Sequence, residues 1–299
     1  MSESVFGQVL TAMVTPFLAT GNLDEAGVKR VVEHLLANGS DGIVVCGTTG
    51  ESPTLTVAEK LRLFELVRNI VGNRGTVIAG TGGNDTATSL ELTREAAKTG
   101  VDGALLVVPP YNKPSQDGLY HHFRTIADAN PDLKCMLYNV PSRTSCNLEP
   151  STTAKLAHDV SNIVAVKEAS GQLDRCAEIV ATTPAGFNLY SGDDGLALPM
   201  CSVGGVGVVS VASHLVGRDM KAMHAAFFTG NLKEAVRINC KMLPVIRACF
   251  QSTTPSPAPV KAGLNLLGVG VGGLRLPLVE ANTAETAIIR TALANYGLL

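Results

Sequence analysis

The sequence predicts an α/β protein, a (β/α)8 TIM barrel with a C-terminal helical appendage. Eight short apolar runs rich in Val, Ile and Leu alternate with segments of helical periodicity. Runs that are apolar on both faces are typical of parallel strands that helices cover. No linker or change in composition divides the repeats, which favours the barrel over the alternative, a doubly wound sheet. We therefore expect the barrel, with the active site, over residues 1–213 and a helical region over residues 214–299.

The predicted elements follow one another in a regular order. The strands are expected over residues 8–17, 42–46, 76–79, 103–108, 134–138, 163–167, 187–190 and 206–211. Between the first two strands, apolar residues at helical spacing follow Asp24 and predict a helix. A capping box of Thr56 and Glu59 starts the next helix, and further helices are expected at 86–98 and 119–129. After Ser213 the pattern is helical only, at residues 220–228, 232–250, 260–267 and 284–295. We interpret these last helices as a packing or assembly surface.

The bulk composition excludes several classes of protein. The chain has 299 residues and a formal net charge of -2, which gives no electrostatic support for a nucleic-acid or membrane partner. It contains no run of about 18 apolar residues that could span a membrane, and no signal peptide is evident. The seven cysteines are an odd number scattered through apolar stretches. They predict reduced thiols in a cytoplasmic protein.

The sixth predicted strand ends on a lysine. Because side chains alternate along a strand, Ile163, Ala165 and Lys167 are expected on one face, with Val164 and Val166 on the other. Apolar surroundings disfavour the charged form of a lysine and are expected to lower its pKa. A neutral lysine amine can attack a ketone and form a Schiff base. The alternative is a solvated strand end.

Other reactive side chains follow predicted strands, and in a barrel these strand ends meet at one rim. Tyr138 is in phase with the inward face of its strand, so its hydroxyl is expected near the Lys167 amine, where it could pass protons. Thr48 and Thr49, between glycines, could hold a small carboxylate through N–H groups and hydroxyls. Arg143 offers a planar fork for a second carboxylate. Alternatively, Tyr138 is a core residue, Thr48 and Thr49 form an ordinary turn, and Arg143 is a solvated loop residue.

Two glycine-rich segments and a pair of histidines carry less weight. The segment 204–207 could bind a phosphate, although a tight turn entering the eighth strand is the preferred interpretation. The segment 268–273 lacks the strand–turn–helix context of a dinucleotide site. The adjacent His121 and His122 would point to different faces of a helix, and no HExxH or CxxC motif exists. Metal catalysis therefore has little support.

Four motifs occur together in a fixed order. They are Gly47-Thr48-Thr49-Gly50-Glu51-Ser52, Tyr138-Asn139-Val140-Pro141-Ser142-Arg143-Thr144, Val166-Lys167-Glu168-Ala169 and Ser191-Gly192-Asp193-Asp194. Together they resemble the pyruvate-dependent class I aldolase superfamily and, within it, the dihydrodipicolinate synthase family, over the whole chain. The resemblance implies a lyase of lysine and diaminopimelate biosynthesis that condenses pyruvate with L-aspartate 4-semialdehyde. It implies no cofactor and no metal.

The resemblance also implies roles for individual catalytic residues. Lys167 would form an imine with pyruvate, which becomes an enamine and attacks the aldehyde of the second substrate. Tyr138 would relay protons with Thr48 and with Tyr111, a tyrosine that members of the family contribute across a subunit interface. The implied assembly is a homotetramer built from tight dimers.

The substrate-binding residues follow from the same resemblance. Thr49, with Thr48, would hold the carboxylate of pyruvate, and Arg143 would hold that of the semialdehyde. Gly192 and Val209 match positions that line the pocket through backbone groups. Sister enzymes such as N-acetylneuraminate lyase and 2-keto-3-deoxy sugar acid aldolases are alternatives, but Arg143 suits a short, charged second substrate. The non-enzyme alternative is a barrel that binds a keto acid without turnover.

One departure from the family pattern concerns regulation. Lysine-sensitive members bind lysine at a dimer-interface cleft through histidines, a glutamate and an aromatic residue. The matching positions here are Val57, Lys60, Thr88 and Pro110. A cation at Lys60 would repel the ligand, so we expect weak or absent feedback inhibition by lysine.

Overall fold

A computed structural model describes residues 4–299 and shows eight parallel strands that close into a barrel. The strands are β1 (Val9–Ala12), β2 (Gly42–Val45), β3 (Thr76–Gly80), β4 (Gly103–Val107), β5 (Lys134–Asn139), β6 (Ile163–Glu168), β7 (Asn188–Ser191) and β8 (Gly207–Ser210). Each strand pairs with its neighbours in chain order, and β8 pairs with β1. The predicted (β/α)8 barrel is confirmed.

Twelve α-helices surround or extend the barrel within the described residues. They are α1 (Glu25–Ala37), α2 (Val57–Val71), α3 (Thr86–Lys98), α4 (Gln116–Asp128), α5 (Pro141–Thr144), α6 (Pro150–Asp159), α7 (Leu173–Thr182), α8 (Ala197–Ser202), α9 (Ser213–Phe228), α10 (Leu232–Cys249), α11 (Ala258–Leu266) and α12 (Thr283–Tyr296). The predicted capping box of Thr56 and Glu59 starts α2, and Asp24 caps α1. Side-chain acceptors at these positions satisfy N–H groups that the first turn leaves free.

The barrel interior is filled by side chains from every strand. The inward-facing apolar cluster includes Leu10, Ala12, Val44, Ile78, Leu105, Met136, Tyr138, Ala165, Tyr190 and Val209. A second, larger cluster fills the layer between the strands and the helices. The strands are therefore buried on both faces, which explains why their sequences are continuously apolar. The interior is a packed core that closes the barrel beneath the carboxyl-end rim.

The first strand is shorter than the sequence predicts. It ends at Ala12, whereas the apolar run continues to Phe17. Backbone groups beyond the strand bond to the C-terminal part of the chain: the Val14 N–H donates to His214 Nε2 at 3.1 Å and the Phe17 N–H to the Val271 carbonyl at 3.2 Å. Tertiary partners thus replace ladder partners, which local sequence does not reveal.

The alternation in β6 is interrupted at its start. The pairing with β5 shifts there, and one extra residue, Val164, enters β6. Ile163 consequently packs in the outer cluster, whereas Val164 and Ala165 pack with the interior. The expectation that Ile163 shares a face with Ala165 and Lys167 is wrong, because the bulge breaks the period of two.

The helices after β8 pack on the barrel and on one another. α9 contacts β1 and α1, and α10 packs against both α9 and α12. The contacts of α9 favour its assignment to the barrel as the helix of the eighth repeat, whereas the division at residues 213 and 214 stays a prediction. No helix among residues 4–299 combines the length and the apolar character that crossing a membrane requires.

Candidate active site

Lys167 and Tyr138 lie side by side at the carboxyl-end rim of the barrel. They are register partners on β6 and β5, and the Lys167 Nζ lies 4.2 Å from the centre of the Tyr138 ring. Their exposed fractions are 6% and 5%. The structure therefore brings together the two side chains that the strand phase predicts to be neighbours, and the amine lies against an aromatic face.

A cavity of about 470 Å³ opens above this pair. It is lined by six of the eight predicted site residues: Thr48, Thr49, Tyr138, Arg143, Lys167 and Gly192. A second cavity of about 440 Å³ adjoins it, since both share Thr48, Tyr138 and Arg143. The volumes suit small keto acids and their condensation products.

The other two predicted residues lie elsewhere. Tyr111 is 90% exposed, and Val209 belongs to the interior cluster below the rim. Neither appears among the described residues that line the two cavities, and Val211 of the same region lines the first cavity instead. The chain thus does not bring its own Tyr111 to its own site.

The turn that carries Thr48 and Thr49 is held by backbone hydrogen bonds. The Glu51 N–H donates to the Thr48 carbonyl at 3.1 Å, and the Thr15 hydroxyl donates to the Gly50 carbonyl at 2.6 Å. A side chain at Gly50 would meet backbone atoms of Met13 and Cys46 at 3.1–3.2 Å. Glycine lets the turn press against the end of β1, which fixes the two threonines at the cavity wall.

Arg143 reaches the cavity from the short helix α5. Pro141 stands at the first helical position, which its fixed φ angle favours. The N–H groups of Arg143 and Thr144 donate to the Val140 carbonyl at 2.9 Å and 3.1 Å. The guanidinium itself is exposed at the cavity mouth, so its planar donor fork is available to a carboxylate.

A buried carboxylate ties the ends of β5 and β6 together. Glu168 is 1% exposed and accepts hydrogen bonds from Asn139 Nδ2 at 3.0 Å and from the Ser170 N–H at 2.6 Å. Asn139 and Glu168 directly follow Tyr138 and Lys167 in the chain. Sequence reasoning missed this pair, although two polar residues at the ends of buried strands were the available signal.

The absence of a side chain at Gly192 leaves room for the aliphatic part of the Lys167 side chain. A Cβ atom at this position would lie 3.1 Å from Lys167 Cε and 2.6 Å from Ala169 Cβ. The next rim contact is made by the buried Asp194, which accepts from the Val211 and Ala212 N–H groups at 3.0 Å and 3.2 Å and from the Ser210 hydroxyl. Burial raises the pKa of Asp194, and these hydrogen bonds oppose the rise.

The C-terminal helical region also lines the site. It contributes Leu243, Ile246, Arg247, Phe250 and Ser256 to the cavity wall. The Ser256 Oγ is buried and has no hydrogen-bond partner within residues 4–299. The region therefore contributes to the cavity wall in addition to packing on the barrel. Helical periodicity does not reveal this, because it does not show which residues reach a rim formed earlier in the chain.

Comparison with known proteins gives one consistent result. The model of the dihydrodipicolinate synthetase family matches residues 5–295. A 4-hydroxy-tetrahydrodipicolinate synthase from Microcystis aeruginosa is 56% identical over 279 residues, 93% of each chain. The corresponding protein of Heliobacterium modesticaldum is 53% identical over 294 residues, 98% of this chain and 96% of its own.

Solved structures agree with this result. A lysine-bound dihydrodipicolinate synthase of Cyanidioschyzon merolae superposes with a TM-score of 0.97 at 48% identity, covering 99% of this chain and 100% of that one. The enzyme of Bacillus anthracis gives a TM-score of 0.94 at 45% identity, covering 98% and 99%. Both the sequence and the fold therefore match over nearly the full length, and the chain belongs to the dihydrodipicolinate synthetase family.

Proposed function

We propose that this chain is a Schiff-base-forming lyase that condenses pyruvate with L-aspartate 4-semialdehyde to 4-hydroxy-tetrahydrodipicolinate in lysine and diaminopimelate biosynthesis. The observation that carries the proposal is the buried Lys167 amine, 4.2 Å from the Tyr138 ring, at the base of a cavity that also holds Thr48 and Arg143. The names of its relatives, 4-hydroxy-tetrahydrodipicolinate synthase at 50–56% identity, support the same activity.

The chemistry begins at the lysine nitrogen. The neutral amine of Lys167 adds to the ketone carbon of pyruvate, and loss of water leaves an imine. The protonated imine withdraws electrons, so a methyl proton can leave and an enamine forms. The enamine carbon then bonds to the aldehyde carbon of the semialdehyde. Finally, the amino group of the semialdehyde portion displaces Lys167 as the ring closes, which regenerates the free amine without a cofactor.

Tyr138 is the proposed proton relay for these steps. Each step moves a proton on or off the carbinolamine, the enamine or the new alkoxide. A phenol beside the reacting nitrogen can serve these transfers in turn. Its position on β5, next to Lys167 on β6, supports this role.

Two separate groups are proposed to bind the two carboxylates. The Thr48–Thr49 turn holds pyruvate by N–H groups and hydroxyls, and the Arg143 guanidinium holds the carboxylate of the semialdehyde at the mouth. An exposed cation suits a short anionic substrate better than a polyhydroxylated sugar acid. This argument favours the synthase over the sister aldolases. The presence of both Lys167 and Tyr138, side by side, favours an enzyme over a barrel that binds a keto acid without turnover.

Assembly, location and regulation complete the proposal. We infer a homotetramer in which Tyr111 serves a neighbouring subunit; its 90% exposed side chain, outside its own site, supports this. The seven free cysteines support a cytoplasmic location. Lys60 lines the second cavity with Asn84 and Pro110, which supports weak or absent inhibition by lysine.

Borohydride trapping with pyruvate tests the proposed function. Reduction of the imine should add one pyruvate-derived group to the Lys167 peptide, and Lys167→Ala should abolish the adduct. The wild-type chain should also turn over the semialdehyde far faster than it cleaves N-acetylneuraminate. An adduct that persists on another lysine in the variant, or preference for the sugar acid, would contradict the proposal.

A further inference from the structure

A fully buried ion pair joins the Thr48–Thr49 turn to the C-terminal region. Lys261 Nζ, on α11, lies 2.6 Å from Glu51 Oε1, and the two side chains are 1% and 0% exposed. The pair is 210 residues apart in sequence. Removing two charges from water costs several kcal/mol each, so such pairs are rare unless additional hydrogen bonds compensate. The chemistry proposed above does not use this pair.

The remaining polar contacts of the pair are with the segment that follows α11, and one aromatic contact is with Phe17. Lys261 Nζ donates to the Gly273 carbonyl at 2.6 Å, and the second carboxylate oxygen of Glu51 accepts from the Arg275 N–H at 3.0 Å. The Phe17 ring lies 4.5 Å from Lys261 Nζ and so covers the ammonium with an aromatic face. Burial lowers the pKa of Lys261, and the Glu51 carboxylate opposes this.

The backbone at Glu51 shows what the pair holds in place. Glu51 has a φ of 57°, in the left-handed region that a residue other than glycine enters at a cost. In this conformation its N–H donates to the Thr48 carbonyl at 3.1 Å and closes the turn. The residue whose N–H closes the turn is therefore the same residue whose side chain Lys261 binds.

A second set of hydrogen bonds holds the other end of the segment from Glu51 to Glu59. Arg275 binds Glu59 with two hydrogen bonds of 2.5 Å and 3.0 Å and donates to the Thr54 carbonyl at 2.8 Å. Glu59 is the capping-box residue of α2, so the end of the loop is tied to the same C-terminal segment. Lys261 and Arg275 thus bind the two ends of this segment.

We propose that Glu51 and Lys261 are positioning residues for the pyruvate carboxylate: their ion pair holds the Thr48–Thr49 turn in its binding conformation. The inference rests on the proposed function in taking pyruvate as the ligand of the turn. Neither residue is among the described residues that line the two active-site cavities. Their effect on binding is therefore transmitted through the backbone of the turn.

The double variant Glu51→Gln/Lys261→Met tests this role. It removes both charges, so no buried charge is left unpaired, and thermal unfolding should stay closer to wild type than for Lys261→Met alone. The pyruvate concentration that half-saturates borohydride trapping on Lys167 should rise about tenfold or more. The maximal extent of trapping should be unchanged, because Lys167 and Tyr138 are untouched.

The controls separate positioning from simple stability. Lys241→Met removes an exposed partner of Asp219 in the same helical region and should leave half-saturation unchanged. Glu51→Asp keeps the charge but shortens the anchor, and should raise half-saturation even if the double variant does not fold. A folded double variant or Glu51→Asp variant with half-saturation within twofold of wild type would overturn the proposal. A wild-type chain that traps pyruvate but ignores the semialdehyde would contradict the proposed function while leaving this comparison decisive.

Discussion

The two halves of the site are held in place in different ways: the strand-borne half is Lys167 and Tyr138, and the loop-borne half is the Thr48–Thr49 turn. Lys167 and Tyr138 are held by the hydrogen-bond ladder between β5 and β6 and by residues next to them in sequence. The Thr48–Thr49 turn depends on Lys261, 210 residues away from the Glu51 carboxylate that it binds. The comparison indicates that the covalent step is built into the sheet, whereas substrate placement depends on the whole chain having folded.

The largest effect is expected at the strand-borne half. Tyr138→Phe removes the hydroxyl that relays protons but keeps the ring beside Lys167 Nζ, so turnover should fall by about 10²-fold or more. Imine formation should slow as well, measured by the rate of borohydride trapping. Tyr120→Phe, on α4, is the matched control and should keep normal turnover. Equal activity of Tyr138→Phe and wild type would remove Tyr138 from the mechanism.

A site residue outside the sheet, Arg143 on the short helix α5, should affect one substrate only. Arg143→Ala should lower kcat/KM for the semialdehyde by about 10²-fold, since losing a charge-assisted contact to a carboxylate costs about 3 kcal/mol. Trapping of pyruvate on Lys167 should change little. Arg143→Lys keeps the charge without the planar fork, so its kcat/KM for the semialdehyde should lie between those of wild type and Arg143→Ala. A parallel loss of trapping in Arg143→Ala would show that the two halves are not separable.

The smallest effect is expected outside both halves, at His214 on α9, which joins the segments that follow β1 and β8. His214 is fully buried, accepts from the Val14 N–H and donates to the Val211 carbonyl, and burial lowers its pKa to about 4. Between pH 6.5 and 4 the unfolded chain therefore binds the proton that the folded chain excludes. The stability from this group is present above pH 6.5 and decreases as the pH falls towards 4.

Urea unfolding at pH 7 and pH 5 measures this contribution. The free energy of unfolding should drop by about 2 kcal/mol more in wild type than in His214→Gln, which cannot titrate. The exposed His121 serves as the control, because His121→Gln should keep the pH dependence of wild type. The same pH dependence in His214→Gln and wild type would exclude His214 as its source.

Sequence patterns predicted the parts of the molecule that depend on local periodicity. The eight strands, the capping box of α2 and the neighbouring positions of Tyr138 and Lys167 follow from apolar runs, cap residues and the period of two. The bulge at Val164 was not predictable in this way, since it appears only when β6 pairs with β5. Register is a property of two strands and cannot be read from one.

The contribution of the C-terminal region was hidden for a similar reason. The segment that contains Lys261 and Arg275 shows only helical spacing, a proline-rich connection and glycines in sequence. Its partners Glu51 and Glu59 lie more than 200 residues earlier. A charged residue in an apolar helix, such as Lys261 in α11, was the one available signal of a buried partner.

The late position of Lys261 has a consequence for synthesis. When β8 emerges from the ribosome, all eight strands are available, yet the residues that anchor Glu51 have not been made. A nascent chain at this stage would carry the reactive lysine, but its Thr48–Thr49 turn would not yet be held in the conformation that binds the keto acid. The order of the chain therefore delays competence for substrate until α11, which follows β8 by almost 50 residues, has been made.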